Sequence, residues 1–130
     1  MIIETDDAFE IETANLVVTA FKPDSFFWEL ELVSPETTWT LRIAGSFSLK
    51  DDHGNERGAD PAQLAGLVGK PVLSLRARQS DGQLDGAFGG HWALTVYPDQ
   101  QYEPWEMYST QGERLISVPG NGIAMWEAGT

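Results

Sequence analysis

Cysteine is absent from the 130-residue chain. Thiolate nucleophiles, cysteine-ligated zinc and disulfide frameworks are therefore excluded, although the lack of disulfides does not by itself fix the compartment. Basic residues are scarce: eight Lys and Arg stand against twenty Asp and Glu, giving a net charge of -12 and an isoelectric point near 4.3. A chain so short of positive charge is poorly suited to nucleic acid, whose phosphates need a cationic face, and a basic protein is electrostatically the easier partner. No apolar run is long enough to span a bilayer as a helix, so no membrane association is expected. Met1 to Glu12 carry five acids and no base, the opposite of a secretory leader, and the expected location is cytoplasmic. With 42% apolar and 11% aromatic residues, the chain can build its own core, and residues 1–130 are read as one domain.

What the sequence does contain is alternation with a period of two, the signature of strands with one face packed and the other wet. Ser25 to Val33 places Phe26, Trp28, Leu30 and Leu32 on one face and Phe27, Glu29 and Glu31 on the other, with Phe27 expected under a loop. Thr38 to Ala44 repeats the pattern through Trp39, Leu41 and Ile43, and Ser34-Pro35 reads as the turn between the two. Further strands are expected at Asn15–Phe21, Gly45–Lys50, Val72–Arg78, Gly82–Phe88, His91–Tyr97, Trp105–Tyr108, Arg114–Val118 and Gly122–Glu127. One short α-helix is expected over 60–69. Asp60 would cap it, Pro61 would occupy its first position, Leu64, Leu67 and Val68 would form its apolar stripe and Gly69 would end it.

The alternating segments echo one another. Trp39, Leu41 and Ile43 recur as Trp92, Leu94 and Val96, and Phe47 and Leu49 recur as Trp105 and Met107. Residues 15–56 and 71–114 are accordingly read as an internal repeat joined by the helix. The expected fold is mainly β with one short helix, two similar antiparallel units forming a sandwich or partly closed barrel.

Chemistry-bearing motifs are few. Asp51, Asp52, His53, Gly54, Asn55 and Glu56 lack EF-hand spacing and read as a solvated turn, with no metal site. Gly86 to Gly90 lacks the Lys-Ser or Lys-Thr that follows a phosphate-binding loop, and reads as a tight turn. Neither Ser46, Ser48, Ser74 nor Ser80 lies in a nucleophile-elbow context. No catalytic residue and no cofactor are assigned. Glu103 and Glu106, flanking Trp105, are the carboxylates closest to an acid/base pair, with His91 the imidazole that could join them. Trp28, Trp39 and Trp92 follow strand periodicity and are expected in the core, whereas Trp105 and Trp126 stand near prolines and glycines and are candidates for exposure. Arg76 and Arg78 alternate with apolar neighbours and are expected to meet outward carboxylates. Residues 1–36 hold nine acids and only Lys22 as a base, a field suited to steering a basic partner.

The segment Tyr102, Glu103, Pro104, Trp105, Glu106, with Pro119, Gly120, Asn121, Gly122, Ile123, Ala124, Met125 and Trp126 after it, resembles an uncharacterised family of small bacterial proteins. A Tyr-Glu-x-Trp-Glu segment there precedes a Pro-Gly-Gly stretch ending Ala-x-Trp. Asn121 departs from the second glycine of that pattern and Pro104 from its small residue. The resemblance implies no catalytic residue or cofactor, and by analogy some small acidic bacterial proteins of this general kind look like immunity proteins that block a secreted toxin. The expected function is thus protein binding, with a basic toxin as the expected partner and Tyr102, Glu103, Trp105, Glu106 and Trp126 as the contact residues. A small-ligand protein or enzyme with a cleft between the two units, using Glu103, Glu106 and His91, is the alternative. A homodimer paired through edge strands is a third.

Overall fold

The computed structural model describes residues 1–54, 60–120 and 122–128. Asn55, Glu56 and Asn121 of the motifs above lie outside the described residues. The described residues form β1 (Ile2–Glu4), β2 (Ala8–Ile11), β3 (Val17–Pro23), β4 (Trp28–Val33), β5 (Thr38–Ile43), β6 (Phe47–Lys50), β7 (Val72–Arg78), β8 (Leu84–Phe88), β9 (Trp92–Val96), β10 (Trp105–Ser109), β11 (Arg114–Ser117) and β12 (Ile123–Trp126). They make two six-stranded antiparallel sheets, the first in the order β1-β2-β7-β8-β9-β6 and the second in the order β12-β11-β10-β5-β4-β3. The sheets are not closed into a barrel. Their inner residues form one apolar cluster, including Leu30, Trp39, Leu41 and Trp105 from the second sheet and Leu75, Phe88, Leu94 and Val96 from the first. The molecule is therefore a sandwich.

β1 and β2 were not among the expected strands. Their acids mask the alternation, yet Ala8, Phe9 and Ile11 are buried while Glu10 faces outward opposite Arg76. The helix forms at Pro61–Leu67 as a 3₁₀-helix, with the Asp60 carboxylate accepting from the Ala62 N–H at 3.0 Å. Leu64 and Leu67 are buried, but Val68 leaves the helical conformation and is exposed. A helix this short rests on tertiary packing: the Gly69 N–H donates to the Val18 carbonyl of β3, and Gly66 abuts the Trp92 ring.

Strands β3–β6 and β7–β10 correspond in register. Val18, Phe21 and Pro23 oppose Leu32, Leu30 and Trp28, just as Val72, Leu75 and Ala77 oppose Phe88, Gly86 and Leu84. Each leading strand has one irregularity, between Val18 and Ala20 and between Val72 and Ser74. Trp28, Leu30 and Leu32 then face Ile43, Leu41 and Trp39, as Leu84, Gly86 and Phe88 face Val96, Leu94 and Trp92. The fourth strand of each set crosses to the other sheet. Phe47 and Leu49 of β6 pair with Val96 and Leu94, while Trp105 and Met107 of β10 pair with Ile43 and Leu41. This exchange joins the two sets of strands, β3–β6 and β7–β10, through paired backbone as well as through the core.

Candidate functional site

Because side chains alternate along a strand, the register that turns Trp39, Leu41 and Trp105 inward turns Glu29, Arg42, Glu106 and Tyr108 onto the outer face of the second sheet. Arg42 stands at the centre of that face. Its Nε donates to Glu29 Oε1 at 2.8 Å and its guanidinium to Glu106 Oε1 at 3.3 Å. The guanidinium lies 4.6 Å from the centroid of the Phe27 ring and 5.2 Å from that of Tyr108. The hydrogen bond to Glu29, with the negative charges around it, raises the Arg42 pKa above its ordinary value against the effect of burial, so this cation stays charged. Glu106 also accepts from Arg114 at 3.0 Å, and the Arg114 guanidinium sits 5.4 Å from the Trp126 ring. A line of alternating charge and aromatic surface thus runs from Phe27 to Trp126 across β4, β5, β10, β11 and β12.

The face ends at a rim built from three loops. In the turn between β3 and β4, the Asp24 N–H donates to the Phe27 carbonyl at 2.9 Å and the Asp24 carboxylate accepts from Phe26 N–H at 3.3 Å. These bonds hold Phe26 out at 85% exposure. Between β5 and β6, the N–H groups of Ala44 and Gly45 both donate to the Pro104 carbonyl, at 2.8 and 2.9 Å. Gly45 is required there, since a Cβ would stand 2.6 Å from the Pro104 Cβ. Between β9 and β10, Asp99 accepts from the N–H groups of Gln101 and Tyr102. Two recesses share Ala44 as their common wall. One, of about 260 Å³, is lined by Trp28, Gly45, Ser46, Phe47 and Tyr102; the other, of about 190 Å³, by Phe27, Arg42, Glu103, Trp105 and Glu106.

The expected contact residues are placed unequally. Glu106 lies on the outer face, Trp126 is 43% exposed at its edge, and Tyr102 and Glu103 are exposed at the rim. Trp105 is corrected to a core residue: it is 1% exposed, and its indole N–H donates to the Gly82 carbonyl at 2.8 Å. The nearby prolines and glycines suggested a loose setting, but Trp105 opens β10 with its ring turned inward against the first sheet. Phe26 lies before β4, so it does not share that strand's packed face, and Phe27 lies over Arg42. Trp39 is buried as expected, with Trp28 and Trp92 partly buried against the core.

His91 is exposed in the turn between β8 and β9, with φ of 65°, and lines neither recess. It does not join Glu103 and Glu106. Core side chains fill the space between the sheets, and both recesses stand at the rim, where residues of 15–56 meet residues of 71–114; the second is lined by Glu103 and Glu106 without His91. Among the described residues no group of three or more His, Asp or Glu is arranged to hold a metal. His53 is exposed beside Asp52 at 3.7 Å. The acids of residues 1–36 are dispersed: Asp7 bonds Arg76, Glu29 and Glu31 lie on the outer face, and Asp24 and Glu36 occupy turns at opposite ends of β4. Arg76 and Arg78 meet Asp7 and Asp81 respectively.

Phe27, Glu29, Arg42, Tyr108 and Arg114 were not singled out as site residues in the sequence. Glu29, Arg42, Tyr108 and Arg114 occupy outward positions of ordinary alternating strands, and Phe27 the last position of the turn before β4. Only the pairing of β4, β5, β10 and β11, which no single segment encodes, brings them together.

A family model described as a family of unknown function (DUF6188) matches residues 6–127, and the chain belongs to that family. No curated protein and no solved structure matches it. No helix among the described residues is long and apolar enough to cross a membrane.

Proposed function

We propose that this protein is a recognition domain that binds a basic protein through the outer face of its second sheet and the adjoining rim. In its finer form the reading is an immunity-type inhibitor, covering the active surface of a basic toxin. The observation that carries it is the internal comparison between sheets. The positions equivalent to Glu29, Arg42 and Glu106 on the first sheet are Asp85, Thr95 and Ser48, in the same register. At those three positions small polar groups suffice, with the row's arginine, Arg76, on the neighbouring strand β7, so this register does not itself demand a guanidinium held between two aromatic rings at its centre. Arginine, tryptophan and tyrosine are the residues that most often dominate binding energy at protein interfaces. Their hydrogen bonds and ring contacts are already made in the free protein, which lowers the ordering cost of covering them. The net charge of -12 favours a cationic partner and adds an attraction that salt weakens.

Trp126 and Phe26 are suitable probes, since both are exposed and can be truncated without opening the core. Immobilised wild-type protein in an extract of its native cells should retain one basic protein in stoichiometric amount at low salt and less at moderate salt. Trp126→Ala and Phe26→Ser should each lose most of it while keeping the wild-type melting temperature. Failure to retain a partner at either salt, or full retention by both variants, would refute the reading.

A further inference from the structure

The outer face and its rim present more than a general surface, because the two recesses beside Ala44 differ in chemistry while sharing one wall. We infer that they read a pair of side chains on the partner: an apolar residue in the recess of Trp28, Phe47 and Tyr102, and a lysine or arginine one or two positions away in the recess of Phe27, Glu103 and Glu106. This inference rests on the protein-recognition reading above and names the partner's chemistry.

The first recess is walled by aromatic rings. Trp28 and Phe47 meet edge to face, with centroids 6.5 Å apart, and half-exposed Tyr102 closes the side. Such a surface gains free energy by covering apolar area and offers no charge to an ion. The second recess has an excess of negative charge. Arg42 is already bonded to both Glu29 and Glu106, whereas the exposed Glu103 carboxylate has no hydrogen bond or ion pair within the protein among the described residues. An incoming cation finds the Glu103 carboxylate in the recess that Phe27 also lines, and a second, Glu106, whose oxygens already accept from Arg42 and Arg114. An incoming acid would have to displace an intramolecular partner of Arg42 and stand beside Glu103.

The wall between the recesses is fixed. The two N–H bonds to the Pro104 carbonyl and the contact of Gly45 with Pro104 tie the β5–β6 and β9–β10 loops together, so both recesses are formed before the partner arrives. Their shared boundary at Ala44 requires the two side chains to come from neighbouring positions on one segment.

The test uses the intact chain and a random heptapeptide library displayed on phage, followed by synthesis of the selected consensus and titration by fluorescence polarisation. The expected consensus pairs Lys or Arg with a large apolar residue. Glu103→Lys and Tyr102→Ala, both at exposed side chains, should each weaken its binding about tenfold or more, a loss of about 1.4 kcal/mol. Trp126→Ala, outside both recesses, should not weaken it. An acidic or purely apolar consensus, no enrichment, or a consensus indifferent to both rim variants overturns the inference. So does sedimentation showing that the recesses are filled by a second copy, with Glu103→Lys dissociating a dimer. A native partner lost on Trp126→Ala but retained by both rim variants would leave the protein-recognition reading standing and remove this inference alone. A partner indifferent to all three would remove both.

Discussion

On the outer face of the second sheet Arg42 lies between Glu29 and Glu106, while at the corresponding positions of the first sheet Thr95 lies between Asp85 and Ser48. The backbone pairing is the same. In the first sheet the Thr95 hydroxyl donates to Asp85 at 3.3 Å, the Gln83 side chain donates to the same carboxylate at 3.0 Å, and the arginine of the row, Arg76, stands on β7 opposite Asp85 and not at its centre. The next row repeats the contrast, with Glu31, Thr40 and Tyr108 on the second sheet against Ala87, Ala93 and Lys50 on the first. One register thus carries two different sets of outer side chains, and this difference is what supports the proposed recognition role of the second sheet.

The inner positions should behave oppositely, and this is where the largest effects are expected. Trp105 and Phe47 occupy equivalent places on the exchanged strands β10 and β6, each opening its strand with a ring turned toward the core. Truncating either to alanine should cost about 3–5 kcal/mol, through lost burial and the cavity left behind. Trp105→Ala additionally strands the Gly82 carbonyl. Chemical denaturation would measure both. A Trp105→Ala protein that melted like the wild type would return Trp105 to the contact surface and dissolve the distinction between inner and outer positions.

Gly82 joins the halves at that point. Its φ of 81° suits glycine, and an added Cβ would stand 2.5 Å from Ser117 Oγ and 2.8 Å from the Gly122 carbonyl. Gly82→Ala should destabilise by upwards of about 1 kcal/mol, since neither the conformation nor the space admits a side chain. A melting temperature unchanged from wild type would show that the β7–β8 turn can move away from β11 and β12 without loss.

The comparison is sharpened by making one sheet resemble the other. Arg42→Thr gives the second sheet the residue found at the equivalent place on the first. Its stability cost should not exceed about 1 kcal/mol, because the guanidinium is more than a third exposed and solvent screens its pairs. Partner binding, in contrast, should fall severely, since the variant removes the cation that organises Phe27, Tyr108 and both glutamates. Calorimetric unfolding and a binding titration on the same preparation separate the two. A large stability loss with unchanged binding would make the charged row a folding device and would remove the argument drawn from the first sheet.

How much of this was readable from residues alone follows the same division. Inner faces were legible: Leu30, Leu32, Trp39, Leu41, Leu94 and Val96 announce themselves by alternation, and the correspondence of Trp39 with Trp92 and of Phe47 with Trp105 follows from the same pattern. The outer face was not, because Glu29 and Arg42 are thirteen positions apart and Arg42 and Glu106 sixty-four, and their meeting depends on which strands pair. Trp105 was misread for a related reason. Pro104 beside it suggested an exposed loop, whereas the proline carbonyl accepts two N–H groups from the β5–β6 loop and the tryptophan opens a strand. The strands β1 and β2 were hidden by acids that the register sends outward or into the turn between them.

The smallest effect concerns two carboxylates that lie outside both recesses and off the outer face of the second sheet. Asp7 is held below the ordinary carboxylate range by its hydrogen bond to Arg76. At Asp81 burial alone would raise the value, but the Gln83 N–H and Arg78 outweigh it and the net shift is downward. Asp7 lies in the β1–β2 turn of the first sheet and Asp81 in its β7–β8 turn. Because the unfolded chain binds these protons first as pH falls, their contribution is fully present above the unfolded value of about 3.9 and is lost as pH drops through the lower folded value. Asp81→Asn and Asp7→Asn should therefore each flatten the decline of stability below about pH 4, and leave partner affinity at neutral pH unchanged. Denaturation midpoints taken from pH 6 downward would reveal it. If both variants kept the wild-type acid limb, the charged contacts of the first sheet would carry none of it. If either weakened partner binding, the proposed division between a sheet that serves the fold and a sheet that serves recognition would fail.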